Sequence, residues 1–250
     1  MKMLQLGNGS AFNTKDTNTS FLFDLKNDGS DLLLFDSGYS VFPRLKELEE
    51  KKLINLKSLR KIFISHMDAD HIGSLETFLY YQYYINKIVV DVYCGKKLQK
   101  KLKSYLDEIN DSLVINYKKV PSQLYNFHAI YDNLYFEDSK VLLVPKKVYH
   151  YKPCYGLLVT NTKDAVFLSA DTIAHKSIEK FIKKEKKYSK KGISVFHDYS
   201  DWNEPSLNVH CCEDNLKKEY SKKFINSMYF CHNNSDYNSN WQKIKKMRKF

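Results

Sequence analysis

The run Ser65-His66-Met67-Asp68-Ala69-Asp70-His71-Ile72-Gly73-Ser74 constrains this chain more than any other segment. It follows directly on Lys61-Ile62-Phe63-Ile64, and it sets two histidines and two aspartates within six residues. An apolar strand that breaks into such a run, with Gly73 letting a helix begin without crowding, can aim several side chains at one spot above a sheet edge. Imidazole and carboxylate together suit Zn²⁺, Mn²⁺ or Fe²⁺, and two ions can share one cluster. A polar loop that only caps a helix needs one such side chain rather than this alternation.

The flanking patterns supply a frame for it. Met3-Leu4-Gln5-Leu6, Ser20-Phe21-Leu22-Phe23-Asp24-Leu25 and Leu32-Leu33-Leu34-Phe35-Asp36 read as three strands, the last pair joined as a hairpin through Asn27-Asp28-Gly29. Helices are expected over 43–53, 75–85 and 96–109, with strands at 62–64 and 88–94. The second half repeats the alternation, with strands at 140–144, 155–159, 165–169, 193–196 and 228–230 and helices over 173–187 and 213–220. Two β-rich halves with helices and no linker between them predict one domain over 1–250, an α/β four-layer αβ/βα sandwich. A chain of 250 residues with 43% hydrophobic and 28% charged residues suits one well-buried domain.

The five cysteines, Cys94, Cys154, Cys211, Cys212 and Cys231, are odd in number and lack Cys-x-x-Cys spacing, which fits a reducing cytosolic setting. The opening Met1-Lys2-Met3-Leu4-Gln5-Leu6 turns polar too quickly for a signal peptide, and no stretch approaches the roughly 20 apolar residues of a membrane span. A soluble cytoplasmic protein with no membrane partner is the expectation. The formal charge of +11 favours an anionic partner such as nucleotide or RNA. Much of that charge lies in Lys183–Lys191 and in the tail Lys243–Lys249, which read first as a solvated helix face and a terminus.

The His66–Gly73 run resembles the signature of the metallo-β-lactamase fold, His-x-His-x-Asp-His-x-Gly, with Asp68 standing where the second His usually stands. That substitution moves preference from zinc toward harder ions. Further segments resemble the ribonuclease Z-like branch: Leu6-Gly7-Asn8-Gly9-Ser10, Phe35-Asp36-Ser37-Gly38, and Leu168-Ser169-Ala170-Asp171-Thr172. The continuation Tyr39-Ser40-Val41-Phe42-Pro43-Arg44-Leu45 and the aromatic run after the metal motif look more like phage anti-Pycsar phosphodiesterases, which hydrolyse cyclic nucleotides. The resemblance implies two divalent ions, Zn²⁺ foremost with Mn²⁺ or Fe²⁺ as alternatives. Its metal ligands would be His66, Asp68 and His150 for one ion, Asp70, His71 and His232 for the other, and Asp171 between them.

Asp70 is assigned a catalytic as well as a ligating role. Phe196-His197-Asp198 and Asn208-Val209-His210 resemble two further motifs of ribonuclease Z-like enzymes, which implies that Asp198 orients His210 as general acid. His128 and His175 match nothing and are read as ordinary. The implied function is a metal-dependent phosphodiesterase acting on cyclic nucleotides. An RNA 3′-end endonuclease and a nucleotide-sequestering protein with impaired catalysis are the alternatives. The resemblance also implies a homodimer, in keeping with Tyr80, Tyr81, Tyr83 and Tyr84, a richer aromatic run than one helix is expected to bury alone.

Overall fold

The early strands are apolar on both faces, and the structure covers both. A computed structural model describes residues 1–111, 123–189, 191–200 and 209–233, with the backbone of Val114–Ile115 and Lys118–Lys119. Strands Lys2–Gly7, Ser20–Asp24, Leu32–Phe35, Leu59–Ile64, Val90–Gly95 and Tyr125–Ile130 lie in that spatial order in a six-stranded sheet. The first three are antiparallel, and the others join in parallel. Successive side chains point to opposite faces. Phe21, Phe23, Leu33, Phe35 and Phe63 therefore share one core, while Leu22, Leu34, Ile62 and Ile64 share another.

A second six-stranded sheet orders Met228–Cys231, Ile193–Asp198, Ala165–Leu168, Tyr155–Thr160, Val141–Lys147 and Leu134–Phe136. Its first three strands are parallel and its last four antiparallel. The sheets meet through aromatic rings: Phe21 of the first packs edge-on against Phe196 of the second at 5.2 Å, while Phe35 stacks on Phe63 within the first sheet at 5.8 Å. Truncating one such buried phenylalanine to alanine costs about 3–5 kcal/mol. Helices Val41–Glu50, Leu75–Tyr84 and Gln99–Asp111 cover the outer face of the first sheet with Leu45, Leu48, Phe78, Leu79, Leu102 and Leu106. Helix Lys176–Glu185 covers the second through Ile178 and Ile182, and its Phe181 meets Phe167 at 5.5 Å. The result is the expected four-layer αβ/βα sandwich.

Among the described residues, the sequence reading missed the short antiparallel pair Val114–Ile115 and Lys118–Lys119 and two longer strands. Tyr125–Ile130 is an edge strand whose Asn126 and His128 both bond to Asp91 of its neighbour, at 3.1 and 2.9 Å, so polar residues interrupt the apolar signal. Leu134–Phe136 is a three-residue edge of the second sheet. The helix expected from residue 173 begins at Lys176, because the ring of His175 caps it by accepting from the Ser177 amide at 3.2 Å.

The aromatic run finds partners within its own chain. Tyr80, Tyr81, Tyr83 and Tyr84 pack partly buried against the first sheet's outer core, and the Tyr81 hydroxyl bonds Glu49 at 3.1 Å and Lys46 at 2.7 Å. That run therefore gives no reason in itself for a partner chain. Lys183 and Lys184 are exposed on their helix, and the basic tail Lys243–Lys249 lies outside the described residues. Among the described residues no helix is long and apolar enough to cross a membrane.

Candidate metal centre

Parallel strands carry their loops to one sheet edge, where open α/β sheets place their sites. Strand Leu59–Ile64 delivers His66, Asp68, Asp70 and His71, and the strand beside it, Leu32–Phe35, delivers Asp36. From the second sheet, Ala165–Leu168 leads to Asp171, Ile193–Asp198 ends in Asp198, and Met228–Cys231 leads to His232. His150 follows strand Val141–Lys147. Asp36 and His232 adopt the left-handed backbone region, with φ of 61° and 71°. Non-glycine residues rarely do so, and such strain gathers at functional sites. The turn after Asp36 also supports the metal loop. Ser37 donates its amide to the carbonyl of His71 at 2.7 Å, and a Cβ at Gly38 would lie 2.0 Å from the Asp70 carbonyl oxygen.

The rings of His66, His71 and His150 are each aimed by the hydrogen bond at the far nitrogen, a common device around metals. Asp36 is fully buried and accepts the Ser65 hydroxyl at 2.6 Å, the Ser65 amide at 2.8 Å and His71 Nδ1 at 2.8 Å. Because the Ser65 hydroxyl spends its proton on Asp36, it accepts from His66 Nδ1 at 2.9 Å. His150 Nδ1 donates to the Val209 carbonyl at 3.2 Å. The Nε2 atoms of His66, His71 and His150 are thereby turned to the pocket as lone-pair donors.

The ligand atoms fall into two adjoining groups. His66, Asp68 and His150 form one, and Asp70, His71, Asp171 and His232 form the other, with the ligand atoms of each within 4.8 Å of one another. Asp171 adjoins both, with Oδ2 3.6 Å from His66 Nε2 and Oδ1 3.1 Å from His71 Nε2. Asp70 Oδ2 lies 3.0 Å from His232 Nε2.

A third group, Asp171, Asp198, His210 and His232, reaches the rim. Here His210 Nδ1 donates to Asp198 Oδ2 at 2.9 Å, and the same oxygen accepts the Thr172 amide at 2.8 Å.

The electrostatics are those of a cation site. Burial alone would keep Asp171 protonated, but His232, His71 and His66 hold its carboxyl well below the usual range. Burial likewise opposes charge on His71, and Asp171 and Asp36 more than offset it, raising the imidazole well above its ordinary value. A pocket so rich in carboxylates favours any cation, whether a proton on imidazole or a metal ion. His66 Nε2, His71 Nε2 and Asp171 Oδ1 are buried without a well-formed hydrogen bond, a costly state unless the atoms serve as ligands. Divalent ions fit this donor set.

The family model for "Anti-Pycsar protein Apyc1" matches residues 1–250. The chain belongs to this family. The Apyc1 protein of Bacillus phage 010DV004 is 31% identical over 184 residues, 69% of each chain. That of Bacillus phage vB_BsuM-Goe3 is 39% identical over 114 residues, 45% of this chain and 39% of the relative. Among solved structures, the metallo-β-lactamase fold protein YhfI from Bacillus subtilis superposes with a TM-score of 0.67 at 15% identity, covering 93% of this chain and 86% of that one. The short form of human tRNase Z gives 0.66 at 14% identity over 95% and 94% of the two chains. This Apyc1-family chain thus has the metallo-β-lactamase fold.

The nine candidate site residues named from sequence lie at this one edge of the Apyc1-family fold. His66, Asp68, Asp70, His71, His150, Asp171 and His232 converge, and Asp198 and His210 pair beside them. Asn208 of the segment Asn208-Val209-His210 lies outside the described residues. His197, next to Asp198, is structural: it is fully buried and bonds the Asp198 carbonyl at 2.7 Å and the Tyr220 hydroxyl at 2.9 Å. His128 and His175 stay away from the site, the first against Asp91 and the second stacked on Tyr149 at 3.8 Å.

Sequence reasoning missed the roles of Asp36 and Ser65. Their signal was available, since an acid ending the wholly apolar strand Leu32–Phe35 asks for a polar partner. Tyr151 and Lys152, which contact Asp68, were missed as well.

Proposed function

We propose that this Apyc1-family protein is a metal-dependent phosphodiesterase that hydrolyses cyclic nucleotides, serving phage counter-defence in the host cytosol. The observation that carries the reading is the juxtaposition of a two-lobed His/Asp pocket with the pair of buried Asp198 and half-buried His210 at its rim. His66, Asp68 and His150 would hold one divalent ion, Asp70, His71 and His232 the other, with Asp171 between them. Bound there, the ions would supply Lewis acidity toward phosphate oxygen and acidify water for attack at phosphorus.

The chain's own residues account for the leaving group. Water oxygen forms the new bond to phosphorus, the P–O bond to ribose breaks, and the departing oxygen needs a proton. His210 presents Nε2 for that transfer because Nδ1 is committed to Asp198. Burial disfavours charge on this imidazole, but the Asp198 carboxylate outweighs it and lifts the pKa to about 9, so the ring is loaded with its proton at neutral pH. Phe12 and Tyr151 are exposed aromatic surfaces close by, suited to stacking on a base. Phe12 sits in a loop tied to Asn233, next to His232, through the Ser10 amide at 3.1 Å.

A substrate panel tests the proposal. Cyclic CMP, UMP, AMP and GMP, and a precursor tRNA, are each incubated with protein loaded with Zn²⁺, Mn²⁺ or Fe²⁺. Linear monophosphate formed over many turnovers is the expected result. Cleavage of the tRNA alone would make the protein an RNA endonuclease, and depletion capped at one nucleotide per site would make it a sequestering protein. On family membership the proposal extends to a homodimer, which light scattering at micromolar concentration checks; a monomeric mass excludes it.

A further inference from the structure

Asp68 stands apart from the other carboxylates of the pocket. The ion-pair partners of Asp70, Asp171 and Asp198 are histidines, whereas Asp68 Oδ1 also binds the ammonium of Lys152. Its other oxygen, Oδ2, accepts the Tyr151 hydroxyl at 2.9 Å and faces His150 Nε2 at 3.4 Å and His66 Nε2 at 3.5 Å. Lys152 lies over the Tyr151 ring at 4.8 Å, which steadies it although its side chain is 41% exposed. The carboxylate is thus split, one oxygen toward the imidazoles and one toward a lysine. Replacing a neutral imidazole by Asp68 adds one negative charge to the group, and Lys152 returns one positive charge.

We propose that Lys152 is the counter-charge of Asp68. It holds Oδ1, leaves Oδ2 facing His66 and His150, and limits how tightly that half of the pocket binds a divalent cation. The proposal rests on the metal-site reading above. Lys152 is a positioning residue, acting through Asp68.

The test is a metal titration independent of turnover. Metal-free wild type, Lys152→Met, Lys152→Arg and the same lysine changes in an Asp68→His background are titrated with Mn²⁺ and with Zn²⁺ by calorimetry. A unit charge facing a dication a few ångströms away, screened as in bulk water, changes affinity about tenfold. Lys152→Met should therefore tighten one binding step by about that factor and leave the other unmoved, while Lys152→Arg, which keeps the charge, should behave like wild type. In the Asp68→His background Lys152→Met should tighten that step by clearly less, because the carboxylate it acts through is gone and only the screened repulsion between ammonium and ion remains.

Unchanged or weakened binding in Lys152→Met, with Lys152→Arg folded and normal, overturns the proposal. An equal tightening with and without Asp68 overturns it too, since Lys152 would then act on the pocket directly. Failure of wild-type protein to bind either metal defeats the metal-site reading itself, a different and distinguishable result.

Discussion

Removing His210 should separate chemistry from metal binding. The ring donates Nδ1 to Asp198 at 2.9 Å and is partly exposed at the rim, whereas the Asp198 carboxylate is fully buried and also held by the Thr172 amide. His210→Ala therefore leaves Asp198 anchored and the deeper candidate ligands in place. One acid–base group contributes about 10²–10⁴ in rate, so kcat should fall at least about 100-fold with metal content and nucleotide affinity nearly unchanged.

Asp198→Ala should lower kcat less, and the double variant should be barely worse than His210→Ala, because the pair acts as a unit. Asp198 Oδ1 also lies 3.6 Å from His232 Nδ1, so Asp198→Asn is the cleaner probe of the pairing. Stopped-flow turnover, elemental analysis and equilibrium binding on the same preparations give the three readouts. The ligand atoms of Asp171, Asp198, His210 and His232 also converge closely enough to hold an ion. Loss of metal from His210→Ala would make this histidine a ligand and refute the general-acid role, and fully additive defects would end the pairing.

Three further outcomes follow from the same geometry. As the acid form of His210 is lost on raising pH through about 9, kcat should decline on the alkaline side, at a pH lowered by the nearby cations, and His210→Ala should abolish that decline in a pH–rate profile. Asp68→Ala should abolish activity while Asp68→His retains part of it and shifts preference toward Zn²⁺, and equal activity of wild type and Asp68→Ala with both Zn²⁺ and Mn²⁺ would show that Asp68 is no ligand. Removing metal should lower Tm by roughly 5–10 °C, taking about 2.7 kcal/mol of stabilisation at 100 times Kd and roughly 2–4 °C per kcal/mol for a chain this size. A calorimetric scan that is the same with and without chelator would contradict bound metal.

Much of the fold was legible because the strands are extreme. Phe21 to Asp24 and Leu32 to Phe35 are buried at every position, so their apolar runs admit few other readings. Tyr125–Ile130 was illegible for the opposite reason, since Asn126 and His128 find their hydrogen-bond partner on the neighbouring strand, a long-range contact with no local trace. The site divides in the same way. The candidate ligands, clustered in His66–His71 or resembling family motifs, were visible in the sequence and lie together in the fold. The partners of those residues were harder to read: Asp36 showed as an acid in need of a partner, but His71 lies 35 residues from it, and Lys152 lies 84 from Asp68. Only folding makes those partners neighbours. Tyr81 of helix Leu75–Tyr84 finds its partners, Glu49 and Lys46, on another helix, which the helix's own sequence does not reveal.

The central claim is that bound metal makes this protein a catalyst for opening a cyclic phosphodiester. One measurement addresses it most directly. Protein is stripped of metal, reloaded to a counted stoichiometry, and mixed with a large excess of cyclic nucleotide while linear product is counted by chromatography. The account predicts no product without metal and many product molecules per chain with two ions bound. Turnover that ignores metal content, or nucleotide consumption that stops at one per chain with no linear product, would contradict it.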